Sequence, residues 1–472
     1  MLNQVSYTRN PEFLEKYYIC RGSEKFYSNF NISVKYDQPI TKNQLSAALR
    51  SLILKNSWFI HNFFKVDEKD SKVENYNNWK LKYLEQIKFR DVVTTQNIQK
   101  FNESTLEYLN GLTLNHNTKE TLWKIILFKE DSGDQWLTVY VDHSMFDGLS
   151  LVQFHKDLAK EISLVGNPKE VVETLFDLEK DLEHLPSKPM VASEVATDLY
   201  YPTYTKVWNH YLSKYVPGYA TVSNWLYPAN TNPPLFHSPS PVKKDLTTKY
   251  KLLKFSPEQM SKMIKFCKTE RVTFTAYMDV MFIKALQNSI FKDYDPTQQF
   301  STHSFIAING RRYYGEDIRN FKFGTMVTGI HIKTPPVINE IDAMKHLNVE
   351  LNKEIKSRSY FKDIGMMKYV NLFNYFQSKI GAINTSSTFG ISNLGKVATN
   401  KDVPIQFKDI VFSANAGVMY GLVLNTITLP NGEMNMVISY IPNYGSLESN
   451  NEKGIKRLFN LFEEYLLNGI KA

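Results

Sequence analysis

One histidine and one aspartate, four positions apart in Val141-Asp142-His143-Ser144-Met145-Phe146-Asp147-Gly148, carry the clearest chemical signal in this chain. Gln135 to Val141 alternate aliphatic with polar or aromatic side chains and read as a strand, and an amphipathic helix starts after Gly148. An imidazole at a strand end has a rigid backbone beneath it while the ring projects into a cleft, which suits a catalytic base. Gly148 suits a sharp turn between the two elements. The competing reading is a hydrogen-bonded core histidine beside a helix-capping aspartate.

Other chemistries fit less well. A metal pair needs His143 and Asp147 on one helix face, but Asp147-Gly148 predicts a turn, and His155 lies two turns into the following helix. No metal is expected. The sequence has no Gly-x-Ser-x-Gly elbow, P-loop or dinucleotide fingerprint. A lone histidine base remains, and it fits a reaction whose substrate brings its own activated group, such as acyl transfer from a thioester.

The elements that position this base must come from a large chain. Its 472 residues exceed one ordinary core and imply two lobes of about 200 residues each. With 43% hydrophobic and 14% aromatic residues, two cores and an apolar substrate channel can both be filled. The net charge of +8 is spread without a basic block, which argues against nucleic acid as a partner. Cys20 and Cys267 are too few for a disulfide framework and point to a reducing compartment. Met1-Leu2-Asn3-Gln4-Val5-Ser6 turns polar at once and no apolar run reaches 18 residues, so a cytoplasmic protein is expected.

The expected division is 1–185, a Pro- and Tyr-rich crossover at 186–250, and 251–472. In the first part, Phe30, Ile32, Val34 and Tyr36 mark a strand, and Thr41 with Gln44 opens a helix carrying Leu45, Ala48, Leu49 and Leu52. Strands are also expected at Trp58 to Phe64 and Leu122 to Phe128, the latter joined to the His143 strand by a hairpin at 131–134. In the crossover, Tyr204, Val207, Trp208, Tyr211, Leu212 and Tyr215 form a helical stripe, read first as packing on a lobe and otherwise as a lid or an interfacial membrane helix. The last part reads as a strand at Leu252 to Phe255 and helices from Pro257 and over 274–290, 340–356 and 362–379. Further strands fall at 302–308, 325–332, 387–392, 421–429 and 434–440, before a closing helix with Ile455, Leu458, Phe459, Phe462 and Leu466.

Several strings resemble the yeast alcohol O-acetyltransferase family, within the wider group that holds chloramphenicol acetyltransferase, plant BAHD acyltransferases and peptide-synthetase condensation domains. They are Phe26-Tyr27-Ser28-Asn29-Phe30, the His143–Gly148 hexad, Phe154-His155-Lys156-Asp157-Leu158 and Ser392-Asn393-Leu394-Gly395. The resemblance implies an α/β, two-lobed CoA-dependent acyltransferase fold, each lobe a mixed sheet flanked by helices, with the active-site tunnel between them. It implies His143 as general base and Asp147 as a structural residue paired with an arginine, here Arg311, or Arg312 failing that. Ser392 or Asn393 stands as an oxyanion or substrate contact, a plain turn being the alternative. Phe412-Ser413-Ala414-Asn415-Ala416-Gly417 departs from the Asp-Phe-Gly-Trp-Gly motif of plant relatives. The implied reaction takes acetyl-CoA as co-substrate and a hydrophobic alcohol as acceptor. The alternatives are a long-chain, sphingoid-like amine, or a non-catalytic lipid- or partner-binding domain. A monomer is expected, with peripheral contact to the endoplasmic reticulum or lipid droplets as the membrane option.

Overall fold

Alternating strands resolve into two mixed sheets in the computed structural model, which describes residues 8–67, 76–185, 191–192, 197–226, 233–315, 322–383, 386–398, 402–449 and 452–469. The opening Met1–Ser6 stretch and parts of the 186–241 segment lie outside the described residues. The first sheet runs in the order Phe407–Ala414, Phe30–Tyr36, Gln135–Val141, Trp123–Glu130, Val93–Ile98. Only its last pair is parallel. The hairpin at 131–134 is present, with Gly133 at φ +87°.

Against this sheet packs the helix Gly148–Val165, and the helix Lys42–Lys55 packs on that helix in turn. Lys42–Lys55 is opened by a reciprocal cap: Thr41 Oγ1 accepts from Gln44 N at 3.2 Å and Gln44 Oε1 from Thr41 N at 3.1 Å. Leu45, Leu49 and Leu52 of one helix and Leu151, Phe154 and Leu158 of the other are buried in one core, each such burial contributing about 1.5–3 kcal/mol.

The second sheet has six strands in the order Lys249–Phe255, Met434–Tyr440, Leu422–Thr428, Phe389–Lys396, Thr302–Asn309, Val327–Thr334. Phe389–Lys396 is parallel to both of its neighbours. Helices Phe274–Gln287 and Gly454–Asn468 cover the sheet, with the Phe282 ring 4.9 Å from both Phe389 and Phe462. One strand crosses over: Phe407–Ala414, late in the sequence, completes the first sheet beside Phe30–Tyr36.

Four expectations are corrected. Trp58–Phe64 is a 3₁₀ turn, Ser57–Ile60, followed by a strand, His61–Lys65, in a small separate sheet. The strand expected from Thr325 begins at Val327, because Thr325 and Met326 bond to the His143 loop instead of the ladder. The helix expected over 362–379 breaks into Ser359–Gly365, a 3₁₀ turn at Met366–Tyr369, and Leu372–Gln377. The break follows from outside contacts: the His210 ring donates to the Tyr369 carbonyl at 3.1 Å, and Asn371 Oδ1 caps a new helix through Asn374 N. Finally, the stripe on helix Tyr204–Tyr215 packs on the lobe only in part: Val207 and Leu212 are half-buried and Tyr211 meets the Tyr369 ring edge-on at 6.1 Å, whereas Tyr204 is 94% exposed and Trp208 and Tyr215 are also exposed.

Two buried histidines outside the candidate site make stability pH-dependent. His155 is the satisfied core type: Tyr36 Oη donates to its Nδ1 at 2.9 Å and its Nε2 donates to Ile32 O at 3.1 Å. Burial pushes His155 and His61 down to about 3. The unfolded chain protonates both near pH 6.5 while the folded chain does not, so stability is complete above that pH and falls as pH drops toward 3. Between pH 7 and 5 the expected loss is about 2 kcal/mol per ring, read by denaturant titration. His61→Gln and His155→Gln together should make that slope shallower by the share of these two rings.

Candidate active site

Asp142 N bonds Leu122 O at 2.9 Å, anchoring the end of the His143 strand to its hairpin neighbourhood. The loop that follows is tied down residue by residue. Ser144 N donates to Asp142 Oδ1 at 2.8 Å, the Trp58 indole donates to Met145 O, and Thr325 Oγ1 donates to His143 O at 2.7 Å. Because Thr325 precedes a strand of the second sheet, the His143 backbone is held from both halves of the molecule.

The His143 ring sits among aromatics. Tyr18 stacks on it at 4.2 Å and 12°, Phe30 lies at 4.6 Å and Tyr27 at 6.3 Å. Among the described residues its Nδ1 is enclosed without a hydrogen-bond partner, whereas Nε2 is neither enclosed nor bonded to protein and is the nitrogen open to a reactant. Burial first, and the Arg21 guanidinium second, push the ring down to about 4, against Asp147, its own backbone carbonyl and Asp142, which pull it up. The imidazole is therefore neutral at pH 7, the form that accepts a proton.

Asp147 does not reach His143, because its oxygens are already engaged. Oδ1 caps the helix Gly148–Val165 by accepting from Ser150 N at 2.8 Å and Ser150 Oγ at 2.9 Å. Oδ2 accepts from Arg311 Nη1 at 2.6 Å and Met326 N at 2.9 Å. Burial alone would raise its carboxyl, but Arg311, Met326 N and Ser150 N together hold it below the usual carboxylate range. Arg311 also donates through Nη2 to Ser150 Oγ at 3.1 Å and Gly324 O at 3.3 Å. Arg312, by contrast, is exposed.

Gly148 serves a close approach as well as the turn. Its φ is not positive, but a Cβ there would stand 2.6 Å from Leu394 Cδ2, so glycine allows the second sheet to approach the loop. Leu394 is delivered by the Ser392–Gly395 string, which forms a bulge: Gly395 adopts φ +74° and its N donates to Asn393 Oδ1 at 2.8 Å. Ser392 and Asn393 lie opposite Asn425 and Thr426 of the neighbouring strand, and no hydrogen bond joins either to the His143 loop among the described residues. The string thus brings Leu394 to the loop.

A second histidine supports the loop from below. His116 Nε2 meets both Ser144 Oγ at 3.2 Å and Asp142 Oδ1 at 3.3 Å. A relay triad needs serine and aspartate on opposite ring nitrogens, so this cluster is a clasp and not a nucleophile site. A cleft of about 670 Å³ lined by Pro39, Thr95, Lys129 and Gln135 is remote from all of these residues. The described residues contain no cluster suited to a metal.

The sequence patterns missed the helix Phe13–Ser23, which supplies Tyr18 and Arg21. Phe13, Leu14, Tyr17, Tyr18, Ile19 and Cys20 are buried around nearly its whole circumference, so it shows no apolar stripe. One signal was present: Glu12 and Glu15 form a capping box, with Glu12 N donating to Glu15 Oε2 at 2.9 Å. Gly22 presses this helix onto the clasp, since a Cβ there would lie 2.8 Å from Asp142 Oδ2.

Two sheets meeting at a histidine loop define the acyltransferase and condensation-domain fold. Solved structures with it include the trichothecene 15-O-acetyltransferase TRI3 of Fusarium sporotrichioides (TM-score 0.65, 13% identity, 98% of this chain and 95% of that one). The epimerization domain of tyrocidine synthetase B is another (TM-score 0.60, 14% identity, 98% and 96%). The family model for alcohol acetyltransferases matches residues 12–466, and the chain belongs to that family. Among Saccharomyces cerevisiae proteins it is similar to N-acetyltransferase SLI1, 23% identical over 90% of this chain and 94% of that protein. It is also similar to alcohol O-acetyltransferase 2, at 22% identity over 92% and 91%.

Proposed function

We propose that this acetyltransferase-family protein moves an acetyl group from acetyl-CoA to a hydrophobic alcohol, with His143 as general base. The observation that carries this reading is the open, neutral Nε2 of a ring whose other nitrogen is enclosed and whose neighbouring aspartate is fully engaged elsewhere. An imidazole cannot ionise an alcohol outright, because the alcohol's pKa is close to that of water at about 15.7. The hydroxyl proton therefore passes to Nε2 as the oxygen attacks the thioester carbonyl. The tetrahedral adduct then collapses, the C–S bond breaks, and the imidazolium returns the proton to the departing thiolate. Asp147, Arg311 and Thr325 act at one remove, holding the loop in place.

Acetyl transfer to a long-chain amine is the second reading, favoured by the similarity to N-acetyltransferase SLI1. Purified protein given acetyl-CoA with decan-1-ol or sphinganine should release CoA thiol in an acceptor-dependent way with the alcohol. No acceptor-dependent release with either compound rejects the enzymatic reading and leaves a binding role.

We further propose peripheral contact with a lipid surface. No helix among the described residues is long and apolar enough to cross a membrane. Instead, Tyr204, Trp208, Tyr215, Val222, Trp225 and Leu226 stand exposed on consecutive helices, Tyr204–Tyr215 and Tyr219–Leu226, in a chain of net charge +8. Co-sedimentation with anionic phosphatidylserine vesicles should fall about tenfold in a Trp208→Ser/Trp225→Ser double variant. Equal sedimentation of both proteins rejects the contact.

A further inference from the structure

We propose that Arg21 is a charge filter beside His143: it admits neutral or anionic acceptors and excludes ammonium-bearing ones. The inference rests on the reading of His143 as the base that activates the acceptor.

The guanidinium of Arg21 lies over three phenol rings, with Cζ 4.3 Å from the Tyr27 centroid, 5.5 Å from Tyr17 and 5.6 Å from Tyr18. Its Nε is buried with no hydrogen-bond partner. Among the described residues no carboxylate forms an ion pair with it, and both acids of the His143 loop are engaged elsewhere: Asp142 with His116, Asp147 with Arg311. The residue is half-buried and its side chain is hydrogen-bonded to the Tyr17 phenol, but no counter-charge neutralises the cation, so this site gains from any negative charge that enters it.

Its placement beside the reaction centre is enforced. Tyr18 carries the guanidinium near one ring and stacks on the His143 imidazole, and Gly22, the next residue after Arg21, abuts Asp142. The field of Arg21 is felt at the His143 ring, at Tyr17, Tyr18 and Tyr27, and at Tyr420, all of which it biases toward the form with less positive charge.

Acceptor charge then decides entry. A primary amine with a pKa near that of lysine, about 10.4, is almost wholly ammonium at pH 7. Bringing that cation to the far side of one stacked ring from a second one, about 6–12 Å away at an effective dielectric of about 20, lowers its occupancy by roughly ten- to a hundredfold. A site built for amines would place a carboxylate here. A hydroxyl arrives neutral, and the guanidinium favours the negative charge that grows on its oxygen as the proton leaves for Nε2.

The test is a competition in one tube: acetyl-CoA, decan-1-ol and decylamine at equal concentration and pH 7, with ester and amide quantified above an enzyme-free control. Wild type should make mainly ester. Arg21→Gln, and Arg21→Met as a second charge-free variant, should shift the ester-to-amide ratio at least tenfold toward amide, while Arg21→Lys stays within about threefold of wild type. A ratio that does not depend on how much protein is folded separates a filter from a fold defect. Mainly amide from wild type, an unchanged ratio in the charge-free variants, or an equal shift in Arg21→Lys overturns the proposal. Should wild type make neither product, acetyl transfer fails as the function, and binding decides the filter. Decanoate must then stabilise wild type against heat more than it does Arg21→Gln, and decylammonium must do the reverse; equal effects overturn it.

Discussion

His143→Ala should lose about a hundredfold to ten-thousandfold in kcat with acetyl-CoA and a long-chain alcohol, while its urea midpoint should stay close to wild type. The first half follows from the absence of a substitute base. Nε2 is the open nitrogen of the loop, Asp147 has its oxygens engaged by Ser150, Arg311 and Met326, and the His116 ring faces Ser144 and Asp142. The second half follows because the ties that hold the loop are made by backbone atoms of residue 143, not by its ring. Thr325 Oγ1 donates to the His143 carbonyl, which alanine retains. Among the described residues the ring gives up its contacts with Tyr18, Phe30 and Tyr27. Thiol release and urea titration on one preparation check both statements. A variant within tenfold of wild-type kcat rejects His143 as the base, and a variant that unfolds early shows the ring to be a core element.

How far the sequence discloses this site depends on the range of the interactions involved. The strand leading to His143 is legible because alternation is local, and the hexad is legible because a strand end, a base and a helix cap must fall at fixed spacing. Pairing of Phe407–Ala414 with Phe30–Tyr36 leaves no local trace, since the partners are nearly the whole chain apart. Gly148 looks like a turn residue in sequence and is a contact residue in space, because the side chain it accommodates, Leu394, comes from the other sheet. Thr325 and Met326 continue a strand-like pattern yet leave the strand, as their donors are taken by His143 O and Asp147. Arg21 and Tyr18 are hidden for the opposite reason: their helix is buried on so many sides that no polar face marks it.

Arg311→Ala should be destabilised by about 3–5 kcal/mol at pH 7 and should also lose activity, because it strands the Asp147 carboxylate in a buried site. Charge, not lost packing, is the predicted cause, and pH separates the two. In wild type the Asp147 carboxyl is held below its usual range, so its contribution is full above about pH 4 and is lost as pH falls through the lowered folded value. Without Arg311 the balance inverts. Burial, the largest influence on that carboxyl, then pushes it upward, and the group can escape the penalty by taking a proton. The stability gap between wild type and Arg311→Ala should therefore narrow from pH 7 to pH 5, whereas a packing defect leaves it constant. Asn at 147 retains an oxygen able to cap Ser150 N but carries no charge. Asp147→Asn/Arg311→Ala should accordingly be more stable at pH 7 than Arg311→Ala alone, a coupling that two independent contacts would not produce. Transfer activity should stay low in the double variant, since the loop that aims His143 has lost its tie to the second sheet even where the buried charge is gone.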